Sequence, residues 1–177
     1  AENKFLINRA KYHNVKTFLG DEDDVLSRFI KISDSIIPKN IVRICADNPF
    51  ISFELIDELI FFFNSNNCDY SCNHQSKKNN GYADGFGAEI FSYEALKKIQ
   101  NKCSSHFHKE HVTSFIWENK KDFIIKCPTA PKKLRYPELK FDIDSESDLH
   151  KIRQLLSYGV DIDTSAERII QIFNKYK

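Results

Sequence analysis

The chain has 177 residues, with 26 Lys and Arg against 25 Asp and Glu, a formal net charge of +1. That balance excludes the strongly basic surface of a general nucleic-acid binder and the polybasic patch of a membrane-surface protein. The longest apolar run, Leu59 to Phe63, falls far short of the ~20 residues that span a bilayer, and the length suits one domain with a real core.

In chain order, Phe5, Leu6, Arg9 and Ala10 are spaced for an opening helix that ends near His13-Asn14. Val15 to Leu19 reads as a short strand closed by Gly20. Asp23 to Ile36 recurs apolar at Val25, Leu26, Phe29, Ile30 and Ile36, a helical face whose start is crowded by acidic residues 21–24, as the macrodipole favours. Pro38 ends it. Ile41 to Ala46 is a near-continuous apolar strand of the kind buried on both faces. A helix follows from Phe53 to about Phe63, then a strand from Cys68 to Cys72.

Residues 73–81 form a long polar loop, expected to be mobile. Ala88 to Phe91 reads as a strand and Tyr93 to Lys102 as a helix with Ser92 at its N-cap. A short helix at His111 to Trp117 leads to strand Phe123 to Cys127. Past Pro128 and Pro131, Leu139 to Ile143 is another strand. Helix Glu146 to Leu156 stops at Gly159, and Thr164-Ser165-Ala166-Glu167 is a capping box for a last helix from Ala166 to about Tyr176. Strands alternating with helices predict an α/β fold with a largely parallel sheet.

Five cysteines, Cys45, Cys68, Cys72, Cys103 and Cys127, lack the rhythm of a disulfide framework and read as free thiols of a reducing, cytoplasmic setting. The chain contains no methionine and opens on Ala1, as though entering mid-domain. His106, His108 and His111, and separately Cys68, Cys72 and His74, lack the paired spacing of zinc modules and read as surface or loop histidines and buried thiols.

In open α/β sheets, ligands bind beyond the carboxyl ends of the strands. Asp47 stands at that end of Ile41 to Ala46, while Asp142 and Asp144 stand at that end of Leu139 to Ile143. Acidic positions on two strand ends can share a hard divalent cation such as magnesium, which prefers one or two carboxylates plus waters and phosphates. Turn chemistry before Asn48-Pro49 and capping of the following helix are the competing roles for Asp47 and Asp144.

Four segments, in order, resemble the CMP-sugar cytidylyltransferases: "VRICADNPFIS…LIDELI", "YADGFGAEIFSYEAL", "KEHVTSFI" and "FDIDSESDLHKI". The similarity is to the spore-coat polysaccharide branch, related to the 3-deoxy-manno-octulosonate cytidylyltransferases, and runs from about Phe5 to Leu156. It implies a Rossmann-like sheet with helices on both faces, of the nucleotide-diphospho-sugar transferase type. It also implies a single domain over residues 1–177 that lacks the family's first strand and its basic Gly-rich nucleotide loop.

The implied function is magnesium-dependent transfer of CMP from CTP to an acidic or amino sugar in surface polysaccharide biosynthesis. Pyrophosphate leaves, and no nucleic acid or membrane takes part. A non-catalytic binding or assembly module, or a nucleotide-sugar-dependent glycosyltransferase, are the alternatives. A homodimer is a further expectation of the resemblance.

By that resemblance Asp47 and Asp144 match the catalytic metal ligands, although Ser145 and Ser147 depart from the usual Asp-Thr-Pro-Glu-Asp-Leu wording. Gly85, Gly87 and Glu89 match the segment that approaches the sugar. Arg43 matches a family arginine, either a phosphate contact or an ion-pair partner. Glu110 and His111 match an acceptor-side segment, where the histidine could orient a hydroxyl or act as a base; an exposed residue at a helix start is the alternative.

Overall fold

The computed structural model describes residues 3–74 and 79–176. The chain, read above as one domain, divides into two compact units: residues 1–38 with 96–119, and residues 39–95 with 120–177.

The first unit is helical. Helix α1 (Lys4–Tyr12) is closed by Asn14 in the left-handed region (φ 56°), with the Val15 amide donating to the Ala10 carbonyl at 2.8 Å. The strand expected at Val15 to Leu19 is not formed. Its Val15, Phe18 and Leu19 side chains are exposed, and among the described residues no neighbouring strand offers the ladder that would satisfy its backbone. Helix α2 (Val25–Ile36) begins at Asp24, whose carboxylate accepts from the Ser27 amide at 2.8 Å. The single helix expected over His111 to Trp117 is two short ones, α5 (His106–Glu110) and α6 (Ser114–Glu118), with His111 closing the first. α2 packs against α5, and Lys109 pairs with Asp24 at 3.7 Å.

The second unit carries the sheet. Strands β1 (Asn40–Arg43), β2 (Tyr70–Cys72) and β3 (Glu89–Ser92) lie in the order β1-β3-β2. Both ladders are antiparallel, which corrects the expectation of parallel pairing while leaving the α/β class intact. Because β3 alone is reversed, β1 and β2 point the same way. The Ile125 segment also runs parallel beside Tyr70, and the Lys140 segment runs parallel to Asp84, each through a single bridge rather than the full strands expected at Phe123 to Cys127 and Leu139 to Ile143. β1 is shorter than the predicted Ile41–Ala46 and only half-buried. Among the described residues it pairs on one side only, so it never becomes the doubly covered strand its composition suggested.

Helix α3 (Phe53–Ser65) sets Ile56, Leu59 and Phe63 against Ala88 and Ile90 of the sheet. Its Leu55 joins a second core with Phe86, Phe141, Ile152, Leu155 and Ile169. Helix α4 (Tyr93–Lys102) starts as expected, with the Ser92 hydroxyl accepting from the Ala95 amide at 3.0 Å; the division between the units falls within it.

Helices α7 (Glu146–Ser157) and α8 (Ala166–Tyr176) close the unit. α8 is capped by Ser165, which accepts from the Arg168 amide, while Thr164 bonds Asp161 instead. The expected pairing of Thr164 with Glu167 is therefore displaced by one residue. The polar loop expected at 73–81 is anchored at both ends, since Asn73, His74 and Asn80 are buried; residues 75–78 of that expectation lie outside the described residues.

The start of α7 fixes the end of the acidic segment at Asp144. Ser145 and Asp148 form a reciprocal capping box, and the Ser145 hydroxyl, then Lys151, hold the Asp148 carboxyl down at about 2. A depressed carboxylate stabilises the fold above its ordinary pKa near 4, and that contribution is lost as pH falls toward 2. Ser145→Ala is expected to lower the melting temperature by roughly 3 °C at neutral pH. In thermal scans across pH, the gap between variant and wild type should narrow below pH 4.

Candidate functional site

Two short connections place the acidic residues. After β1 the chain passes through Asp47, whose backbone carbonyl accepts from the Ile143 amide at 2.9 Å. Ile143 lies between Asp142 and Asp144, so the two acidic segments picked out in the sequence run side by side. Phe141 donates to the Asp84 carbonyl at 3.0 Å, and Asp84 donates to that of Leu139 at 2.9 Å, which brings Asp84 into the same group.

Lys140, Asp142 and Asp144 fall at period-two spacing, as expected for one face of an extended segment. The Lys140 ammonium reaches Asp144 at 2.5 Å and Asp142 at 3.5 Å. Asp47 and Asp144 are both exposed, whereas Asp142 is 8% exposed and its Oδ1 is buried with no hydrogen-bond partner among the described residues. Burial, then the nearby Asp84 charge, pushes the Asp142 carboxyl above the usual carboxylate range. In the sequence both Asp142 and Asp144 stand at the strand end, and the family resemblance points to Asp144. The signal that separates them is a buried oxygen left unmet, which spacing does not reveal.

The chemistry of this donor set is that of a hard-cation site. The donors are hard carboxylate oxygens, one of them orphaned, and a lysine ammonium already supplies positive charge between two of them. Among the described residues no three His, Cys, Asp or Glu side chains converge as a ready-made metal cage. Magnesium does not require one, since waters and substrate phosphates complete its shell.

Glu89 and Arg43 form the polar centre of the sheet. Arg43 Nη1 donates to Glu89 Oε2 at 2.6 Å, and the Tyr70 hydroxyl to Glu89 Oε1 at 2.5 Å. Of the two roles open to Arg43, the ion pair is the one formed. Glu89, expected as an acceptor of sugar hydroxyls, is 1% exposed and has both oxygens engaged within the chain.

Gly85 and Gly87 allow close approach, here of backbone to backbone. At Gly85 (φ 101°) a Cβ would sit 2.7 Å from the Phe141 carbonyl carbon, and at Gly87 it would collide with Asn73. Asn73 ties that turn together, donating to the Leu55 carbonyl and accepting from the Ala88 amide. Beside it the buried His74 meets Asp84 through Nδ1 at 3.2 Å. Neither contact was legible as a motif.

Glu110 and His111 belong to the other unit. Both are exposed, and the His111 ring lies 4.8 Å from that of Phe107. A cavity of about 350 Å³, lined by Lys39, Asn64, Asn67 and Glu94, sits at the amino end of β1, away from the carboxyl end where ligands of such sheets bind.

Removing the guanidinium strands a carboxylate whose side chain is only 2% exposed. Arg43→Met is expected to cost about 3 kcal/mol, read from the urea midpoint. Glu89→Gln leaves behind the Arg43 guanidinium, whose side chain is more exposed than the Glu89 carboxylate, and should cost less.

No family model matches the chain. An uncharacterized protein of Methanocaldococcus jannaschii, MJ1063, is 31% identical over 174 residues, covering 98% of this chain and 69% of its own length. The spore coat polysaccharide biosynthesis protein SpsF of Bacillus subtilis is 28% identical over 162 residues, covering 90% of this chain and 65% of its own. The chain thus spans about two thirds of these relatives.

A solved structure of a cytidylyltransferase from Leptospira borgpetersenii superposes with a TM-score of 0.87 at 22% identity, over 98% of this chain and 72% of that one. CMP:2-keto-3-deoxy-manno-octonic acid synthetase, complexed with CTP, superposes with a TM-score of 0.58 at 10% identity, over 89% and 78%. The sequence relatives establish kinship and the two structures a common nucleotidyltransferase-like fold: the chain belongs to one family with MJ1063, is similar to SpsF, and shares the fold of a cytidylyltransferase.

Proposed function

We propose that this chain takes part in a magnesium-dependent transfer of CMP from CTP to a sugar hydroxyl, in the biosynthesis of a surface polysaccharide. The observation that carries the reading is the pairing of the Asp47 segment with the Asp142–Asp144 segment, which leaves one buried carboxylate oxygen unmet. Kinship with a spore coat polysaccharide protein supports the pathway, and the CTP held by a structural relative supports the nucleotide.

In the reaction the sugar oxygen bonds to the α-phosphorus, the bridge to the β-phosphate breaks, and pyrophosphate departs. A bound magnesium ion would neutralise the charge that accumulates on the phosphate oxygens. Asp47, Asp142 and Asp144 are the residues that would hold it. Lys140 pairs with Asp142 and Asp144, and its ammonium would be freed to meet phosphate once another cation satisfies them. The Arg43–Glu89 pair holds β1 against β3 and so sets where the chain leaves the sheet toward Asp47.

The test is made on the protein in its full encoded length, by titrating CTP with and without Mg²⁺ in a calorimeter and by following CMP-sugar formation across a panel of sugars. Asp47→Ala is expected to lower turnover about 100-fold or more. Asp142→Asn should weaken Mg²⁺-dependent CTP binding roughly tenfold. Retention of magnesium-dependent binding in both variants would remove the proposed ligand set.

A further inference from the structure

The sheet carries a continuous row of side chains on one face. Arg43 stands opposite Glu89 across β1 and β3, and Glu89 stands opposite Cys72 across β3 and β2. Beyond β2 the parallel bridge between Tyr70 and Ile125 sets the register, and two residues further along both segments Cys72 meets Cys127. The Lys126 amide donates to the Tyr70 carbonyl at 3.1 Å and fixes that alignment. The two sulfurs are 3.7 Å apart. Cys72 is 1% exposed and is held by the Asn80 amide, which donates to its carbonyl at 3.3 Å, whereas Cys127 is half-buried.

We propose that Cys72 and Cys127 are a dithiol modification site, closed to an intramolecular disulfide by a low-molecular-weight disulfide. A disulfide has its sulfurs about 2.05 Å apart. Side-chain rotation and a small shift at Cys127, one residue past the Lys126 amide that bonds Tyr70, bring the atoms together without reordering the sheet. Of the chain's five cysteines, this is the pair that the described residues place in thiol-to-thiol contact.

The order of events follows from access. Cys127, as thiolate, attacks the small disulfide, forms a mixed disulfide and expels one small thiolate. Cys72 then gives up its proton and attacks the Cys127 sulfur, expelling the second. Two protein thiols lose two electrons and two protons, and one small disulfide becomes two small thiols. The hydrogen bond with Cys127, followed by burial, pushes the Cys72 thiol up, so Cys72 reacts as the resolving partner rather than as the first nucleophile.

The closed form clips the Ile125–Cys127 segment to β2 at one end of the row that terminates in Glu89 and Arg43. Oxidation therefore acts on the element that positions the polar centre of the sheet.

The experiment incubates the folded protein with oxidised glutathione, alkylates the remaining thiols after denaturation, and maps the products by non-reducing peptide mass spectrometry. The expected result is one peptide pair joined through Cys72 and Cys127, with Cys45, Cys68 and Cys103 alkylated. Cys72→Ser should stop at a stable glutathione adduct on Cys127. Cys127→Ser should leave Cys72 unmodified. Recovery of Cys72 and Cys127 as alkylated thiols, a persistent adduct on wild-type Cys127, or a crosslink dominated by any other pair would overturn the proposal. The measurement reads sulfur chemistry alone, so its outcome is independent of the reaction proposed above.

Discussion

A carboxylate buried inside a small sheet, Glu89, is the constraint around which the second unit is arranged. Charge at that depth requires a partner charge and further donors, and β1 supplies Arg43 while β2 supplies Tyr70. One side chain on the central strand is thereby tied to both neighbours, and the pairing of β3 with β1 and β2 is specified electrostatically as well as by the apolar residues around it. The sheet is short, so a single such knot matters more than it would in a longer ladder. It also sets the exit of β1, and hence the position of Asp47.

The acidic end of the sheet has the opposite character. Asp84, Asp142 and Asp144 accumulate negative charge around one lysine, and Asp142 keeps an oxygen that nothing among the described residues satisfies. A fold seldom retains a buried polar atom without a partner unless something else supplies one. Satisfied charge at Glu89 and an unmet oxygen at Asp142 stand in one sheet-bearing unit, the first holding strands together and the second left open.

The helices were legible because their information is local. Ser92 caps α4 as its position suggests, Asp24 at the end of the acidic run caps α2, and the cap of α7 is Ser145, one residue past the Asp144 that the sequence offered for that role. The strands were less legible. Val15 to Leu19 has strand-like composition but no neighbour to pair with, and Ile41 to Ala46 looks doubly buried yet forms half-buried β1 on one side of β3. A strand is defined by its partner, and an apolar run does not name one. For the same reason alternation along the chain suggested parallel pairing, whereas the reversal of β3 alone makes both ladders antiparallel.

By itself the sequence determined the family resemblance, the α/β class, most helix boundaries and the two acidic segments, because motifs and caps are written in consecutive residues. The tertiary structure decided what those residues do to one another. It turned Arg43 inward to an ion pair, used Gly85 and Gly87 for backbone packing, and left Asp142 rather than Asp144 with the unmet oxygen. It also placed Cys72 against Cys127, far apart along the chain. Burial and contact depend on which segments the fold lays side by side, and that is a property of the whole chain rather than of any stretch of it.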